Sequence, residues 1–216
     1  MIDHDPDLGE MAGALGRAAG YAISRETHAQ MQRYVSLLLA ENEQQNLISK
    51  QTAGQIWNRH ILDSAQLVRF APSSGSSWLD IGSGAGLPGI VVALLTSGRV
   101  TLVEPRRLRA SFLQRCVDQL ELSSRVEVRE SKVQQVKGRF DVITARAVAS
   151  IDQLLTLSLP RAGVGTRWIL PKGRTGTNEL AQARLTWQGE FRAEPSFTDG
   201  QAVIIVAQGV KPRGRE

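Results

Sequence analysis

Apolar positions recur at two periods along the chain, and the change of period divides it. From Glu26 to Glu41, Met31, Tyr34, Val35, Leu38 and Leu39 recur at helical spacing. Residues 42–50 are polar (Asn-Glu-Gln-Gln-Asn-Leu-Ile-Ser-Lys) and read as a loop. Thr52 with Gln55 fits a capping box. The helix it opens carries Ile56, Trp57, His60, Ile61, Ser64, Leu67 and Val68 on one side, and residues 71–77 break it. Ahead of these helices, residues 1–20 are small and polar, with Gly9, Gly13, Gly16 and Gly20, which predicts a frayed start. Residues 1–72 therefore read as an N-terminal helical extension.

From residue 73 to 210 the pattern changes to short apolar runs alternating with helical ones. Strands are predicted at 78–81, 100–104, 126–129, 140–144 and 167–170, with helices at 88–96, around 108–120, at 150–159 and at 177–187. Ser150 with Gln153 is a second capping box. A final antiparallel pair, 191–197 and 202–207, flanks the turn Thr198-Asp199-Gly200. Repeating βα units imply a doubly wound α/β sheet that is mostly parallel, with right-handed crossovers. Residues 211–216 read as a solvated basic tail.

Composition changes this picture little. Of 216 residues, 42% are hydrophobic and 22% charged, as in ordinary globular proteins. No apolar run approaches the roughly 20 residues of a membrane span. The acidic start is neither a secretion signal nor a transit peptide, and the single Cys116 fits a reducing compartment, so a cytoplasmic protein is expected. A net charge of +5 is compatible with a nucleic-acid partner without demanding one.

The chemistry gathers after the strand at 78–81, where the chain reads Asp80-Ile-Gly-Ser-Gly-Ala-Gly-Leu-Pro-Gly89. Glycines let the backbone approach a ligand closely. Gly84 to Gly89 matches the dinucleotide pattern G-x-G-x-x-G, which would suit NAD. The register Asp80-x-Gly82-x-Gly84-x-Gly86 points elsewhere. A carboxylate at the strand end repels a pyrophosphate but suits the ammonium of an amino-acid moiety, which S-adenosylmethionine has. Glu104, 22 residues after Gly82, is placed to accept both ribose hydroxyls of either cofactor. The loop after the third strand, with Val133 and Gln134, is where adenine contacts are expected.

For a second substrate, Arg146 follows the fourth strand and offers a fixed guanidinium for phosphate, carboxylate or a guanine edge. His60 and Asp63 stand three apart on the helix before the sheet; His60 is either a general base or a bonded core histidine. It has no second His or Cys at ligand spacing, so no metal is expected. Lys172, after the fifth strand, suits phosphate contact. Arg106, Arg107, Arg109, Lys172 and Arg174 are the expected RNA contacts.

Five blocks occur together: Asn46-Leu47, Arg59-His-Ile-Leu-Asp-Ser64, Asp80 to Gly89, Thr144-Ala-Arg-Ala-Val-Ala149 and Leu170-Pro-Lys-Gly173. In order and spacing they resemble the bacterial small-subunit ribosomal RNA methyltransferase G family, also called glucose-inhibited division protein B. The resemblance implies a Rossmann-like class I S-adenosylmethionine-dependent methyltransferase fold, with a mostly parallel seven-stranded sheet, an antiparallel last strand and N-terminal helices before it. It implies methyl transfer to N7 of one guanine in the helix 18 loop of 16S rRNA, in the small ribosomal subunit or a precursor. Carried over, the cofactor contacts are Gly82, Leu87, Val133, Gln134 and Arg146, and Glu104 stands where the family commonly has Asp. The sequence departs from the family's Asn-Leu-Thr and Leu-Lys-Gly, reading Asn-Leu-Ile and Pro-Lys-Gly. Guanine N7 carries a free lone pair at neutral pH, so the lack of an acid/base dyad agrees with this chemistry. The readings set beside it are a methyltransferase of a small molecule or protein, a nicotinamide-dependent oxidoreductase, and an RNA-binding assembly factor.

Overall fold

The computed structural model describes residues 8–214. Two long helices come first, α1 (Leu8–Ala19) and α2 (Arg25–Gln45). Ser24 caps α2 by accepting from the Thr27 N–H, and Asn46 ends it in a left-handed conformation. The buried stripe His28, Met31, Val35, Leu38 and Asn42 keeps helical spacing along α2. A short α3 (Lys50–Ala53) follows, then one continuous helical stretch. That stretch is a π-helix at Trp57–Leu62, α-helical at α4 (Asp63–Ala65) and a 3-10 helix at Gln66–Phe70.

The α/β part runs β1 (Trp78–Ile81), α5 (Gly89–Leu95), β2 (Val100–Val103), α6 (Arg107–Gln119), β3 (Val126–Arg129) and β4 (Phe140–Thr144). It continues with α7 (Ile151–Ser158), β5 (Ala162–Lys172), α8 (Gly176–Thr186), β6 (Trp187–Pro195) and β7 (Val203–Pro212). The seven strands form one sheet in the order β3-β2-β1-β4-β5-β7-β6. β1 pairs in parallel with both β2 and β4, while β7 is antiparallel to both β5 and β6. The strand order reverses between β1 and β4, where ligands bind in open α/β sheets.

Side chains alternate across the sheet. Trp78, Leu102, Val142 and Ile169 face one apolar cluster, which also takes in Leu15, Met31 and Tyr34 of the N-terminal helices with Val91 and Leu113 of α5 and α6. Leu79, Ile81, Val103 and Ile143 face the other, with Leu155 of α7 and Leu180 of α8. Asp80 therefore points to the α5 side.

Several boundaries differ from expectation. The frayed start is helical from Leu8, because Leu15, Ala18 and Ala19 are buried; residues 1–7 lie outside the described residues. α2 runs on through Gln45 into the expected loop. The expected capping box at Thr52 is displaced, and Ser49 is the residue that caps, taking the Thr52 N–H at 3.2 Å. The final strands are longer than predicted, and β7 reaches Pro212, two residues into the expected tail.

Candidate active site

β1 leads into a turn that only glycine makes easily. Gly82, Gly84 and Gly86 have φ of +70°, +53° and +90°. The Gly82 and Ser83 amides donate to the Val103 carbonyl at 2.8 and 3.0 Å, tying the turn to the end of β2. The buried Glu104 carboxylate adds two ties. Its Oε2 accepts from the Gly84 N–H at 3.1 Å and its Oε1 from the Arg106 N–H at 2.9 Å. On the far side of the turn, the fully buried Tyr34 hydroxyl donates to the Ala85 carbonyl at 2.8 Å. A Cβ on Gly86 would stand 2.7 Å from Ile90 Cγ1 and 3.1 Å from that hydroxyl.

Asp80 lies beneath the turn. Its Oδ2 accepts from the Gly89 N–H at 3.1 Å, the first amide of α5. Its Oδ1 is buried with no hydrogen-bond partner. Burial pushes its carboxyl up to about 7. Gly82 to Ala85, Leu87, Glu104, Arg106 and Arg109 line a cleft of about 370 Å³ with Leu47 at its edge, while Asp80 and Gly86 lie behind this lining. These groups fit S-adenosylmethionine. An orphaned buried carboxylate oxygen suits an ammonium, and the Glu104 carboxylate suits a ribose diol. Asp80 takes the α5 amide that a pyrophosphate would need, so the NAD register is disfavoured.

A larger cleft of about 610 Å³ adjoins the first. Its floor includes Arg59 and His60 of the π-helix and Asp63 of α4; Lys172 of β5 and the connection between β6 and β7 complete it. Asp63 Oδ1 accepts from the Thr198 hydroxyl and from Gln66 Nε2, both at 3.0 Å, and its Oδ2 faces Arg146 Nη1 at 3.6 Å. Burial raises the Asp63 carboxyl, while Arg146 opposes the rise. Arg59 pairs with Asp199 at 3.1 Å. Lys172 Nζ donates to the Ala149 carbonyl at 2.6 Å and to Glu179 at 2.9 Å, so it is held within the protein. His60 is buried with neither ring nitrogen partnered. Burial, with Arg146 and Arg59 beside it, lowers it to about 4, so its imidazole is neutral at pH 7.

Arg146, Ala147 and Val148 line both clefts and form their common wall. Val148 packs over the turn: a Cβ on Gly82 would meet its Cγ2 at 2.7 Å. The structure thus brings Gly82, Gly84, Leu87, Glu104, Arg106, Arg109 and Arg146 to the first cleft, and His60, Lys172 and again Arg146 to the second. Val133 is buried in the apolar cluster with Val103, in a 3-10 turn (Val133–Gln135), and Gln134 is exposed. Neither lines the cleft. Arg107 and Arg174 are exposed and line neither cleft. Sequence reasoning read Thr198-Asp199-Gly200 only as a turn, yet it brings Thr198 and Asp199 over the second cleft. Among the described residues no cluster of three or more His, Cys, Asp or Glu side chains is placed to hold a metal, and no helix is long and apolar enough to cross a membrane.

Residues 27–202 match the family model described as rRNA small subunit methyltransferase G. The chain is 46% identical over 196 residues to the ribosomal RNA small subunit methyltransferase G of Rhizorhabdus wittichii, covering 89% of this chain and 90% of that one. It is 42% identical over 200 residues to the protein of the same name from Zymomonas mobilis, covering 88% and 90%. Among solved structures, a SAM-dependent methyltransferase from Aquifex aeolicus superposes with a TM-score of 0.55 at 15% identity, covering 71% of this chain and 91% of that one. The ribosomal protein L11 methylase of Lactobacillus delbrueckii superposes with a TM-score of 0.56 at 13% identity, covering 72% and 79%. The fold is the Rossmann-like one of S-adenosylmethionine-dependent methyltransferases. The chain belongs to the rRNA small subunit methyltransferase G family.

Proposed function

We propose that this rRNA methyltransferase transfers the methyl group of S-adenosylmethionine to N7 of a guanine in the helix 18 loop of 16S rRNA. The reading places the reaction in the small subunit or its precursor, in the cytoplasm. Beside the family membership, the observation that carries it is the junction of two clefts at Arg146 to Val148. A donor in one and a base in the other meet across that wall. The alternative of a small-molecule or protein substrate is not favoured by the family.

When bound, S-adenosylmethionine supplies an electrophilic methyl on a sulfonium. In this reading Asp80 Oδ1 takes the ammonium and Glu104 the ribose diol, while Gly82, Gly84, Gly86 and Leu87 shape the floor. The family resemblance assigns Val133 and Gln134 to the adenine, although neither lines the cleft, and Arg146 bridges cofactor and base. N7 of guanine has no proton to lose, so the chain has to position the reactants in line rather than move a proton. His60, neutral at pH 7, then serves as a wall rather than as a base. Arg106 and Arg109 at the rim, with the exposed Arg107 and Arg174, draw in the RNA backbone through salt-sensitive contacts. Labelled methyl transfer to small subunits, with the site mapped by N7-specific strand scission, tests the proposal.

A further inference from the structure

We propose that Asp63 is the carboxylate that holds the positive charge passed to the guanine as its N7 is methylated. The inference rests on the N7 reading above. In that reaction the N7 lone pair forms the new C–N bond while the C–S bond to the methyl breaks. The bonding electrons stay with sulfur, which becomes a neutral thioether, and the base becomes a cation. No proton moves. One unit of positive charge therefore crosses the wall formed by Arg146, Ala147 and Val148, from the first cleft into the second.

The second cleft is poorly suited to receive a cation without help. Arg146 stands in the wall itself, and Arg59 lies on the floor beside it. Lys172 adds a third positive charge. Three carboxylates face the same cleft, Asp63, Glu179 and Asp199. Glu179 is occupied by Lys172 at 2.9 Å, and Asp199 by Arg59 at 3.1 Å at the exposed rim. Asp63 is the least exposed of the three, at 19% for its side chain against 27% and 37%. Its Oδ1 is taken by Thr198 and Gln66, which fix the carboxyl plane. Its Oδ2 has only the loose 3.6 Å approach of Arg146, beyond hydrogen-bond length. One oxygen of a fixed, largely buried carboxylate thus faces the wall where charge arrives, held only by the long ion pair with Arg146. It also neutralises Arg146, which would otherwise repel the product. Fixed charge aimed at developing charge in a partly buried site acts more strongly than it does in bulk water.

The same contacts also tie α4 to the connection between β6 and β7, so the test must separate charge from structure. Asp63→Asn keeps the Oδ1 acceptor for Thr198 and Gln66, removes the charge and turns the oxygen that faces Arg146 into an amide donor. With the full chain, unmethylated small subunits and saturating S-adenosylmethionine, its kcat is expected to fall about 10- to 100-fold. Cofactor affinity, the KM for subunits and the melting temperature should hold. Retained kcat overturns the inference. So does a kcat lost together with cofactor affinity and melting temperature, since that pattern marks a structural tie. If Asp63→Asn does not fold, Asp63→Glu and Asp63→Gln form an equal-length pair differing in charge. The same kcat ratio is expected between them, and equal kcat overturns the inference. Methyl transfer by the unaltered chain to an atom other than N7 would instead overturn the reading on which this rests, whatever the variants do.

Discussion

Asp80 is where stability and function pull apart. Its Oδ1 is buried without a partner, and burial raises its carboxyl to about 7. An acid raised on folding binds its proton more tightly in the folded state. Stability therefore falls as pH rises from the ordinary carboxylate range, about 4, towards 7, and the loss is complete above that. Asp80→Asn removes the titration and can keep the acceptor for Gly89. It is expected to be more stable than the natural chain at pH 8, by a few kcal/mol at most, on the order of what such a shift supports. The gap should shrink to nothing near pH 4, as thermal melts of the two proteins would show. In the same variant the affinity for S-adenosylmethionine should drop at least about tenfold, the scale of a lost charge-assisted contact. Nearby Gly89 has no such freedom. A Cβ there would lie 2.2 Å from Leu102 Cδ2 and 2.6 Å from Asp80 Oδ2. Gly89→Ala should cost about 1–3 kcal/mol by overpacking, read from denaturant unfolding.

The glycine turn is also held by α2, a helix outside the α/β unit. Tyr34 reaches from it to the Ala85 carbonyl and lies against Gly86. Tyr34→Phe keeps the ring and loses one buried hydrogen bond, worth about 0.5–1.5 kcal/mol. If that bond holds the turn for its ligand, the cofactor Kd should rise about 2- to 10-fold in calorimetry while turnover at saturation stays. An unchanged Kd would make Tyr34 a packing residue only. The βα alternation was legible because the central strands β1, β2 and β4 are short apolar runs between helical stretches, and the last two strands were legible from the turn between them. Asp80 and Glu104 were legible because a strand end followed by glycines gives them a place. α1 was not, because Gly9, Gly13 and Gly16 suggest disorder, whereas burial of Leu15, Ala18 and Ala19 holds the segment as a helix. The second cleft was legible in Arg146, His60, Asp63 and Lys172, but its far wall was not. Asp63 and Thr198 are 135 residues apart, and no local pattern announces their hydrogen bond.

At the scale of the whole molecule, two clefts with different chemistry meet at three residues of one loop. The first is a glycine turn with the Glu104 carboxylate after β2; the second lies between the N-terminal helices and the far half of the sheet. The N-terminal segment serves both, through Tyr34 of α2 and Leu47 of the α2–α3 connection on one side and Arg59, His60 and Asp63 on the other. A net charge of +5 suits approach to RNA, but charge alone names no base. The most direct measurement is therefore the site of methylation. Small ribosomal subunits lacking the modification are incubated with the full chain and labelled S-adenosylmethionine, and the 16S rRNA is cleaved at N7-methylated guanines. Label in 16S rRNA and one new scission in the helix 18 loop are expected. Label in the RNA without N7-specific scission, or no label in any small-subunit preparation, would contradict it.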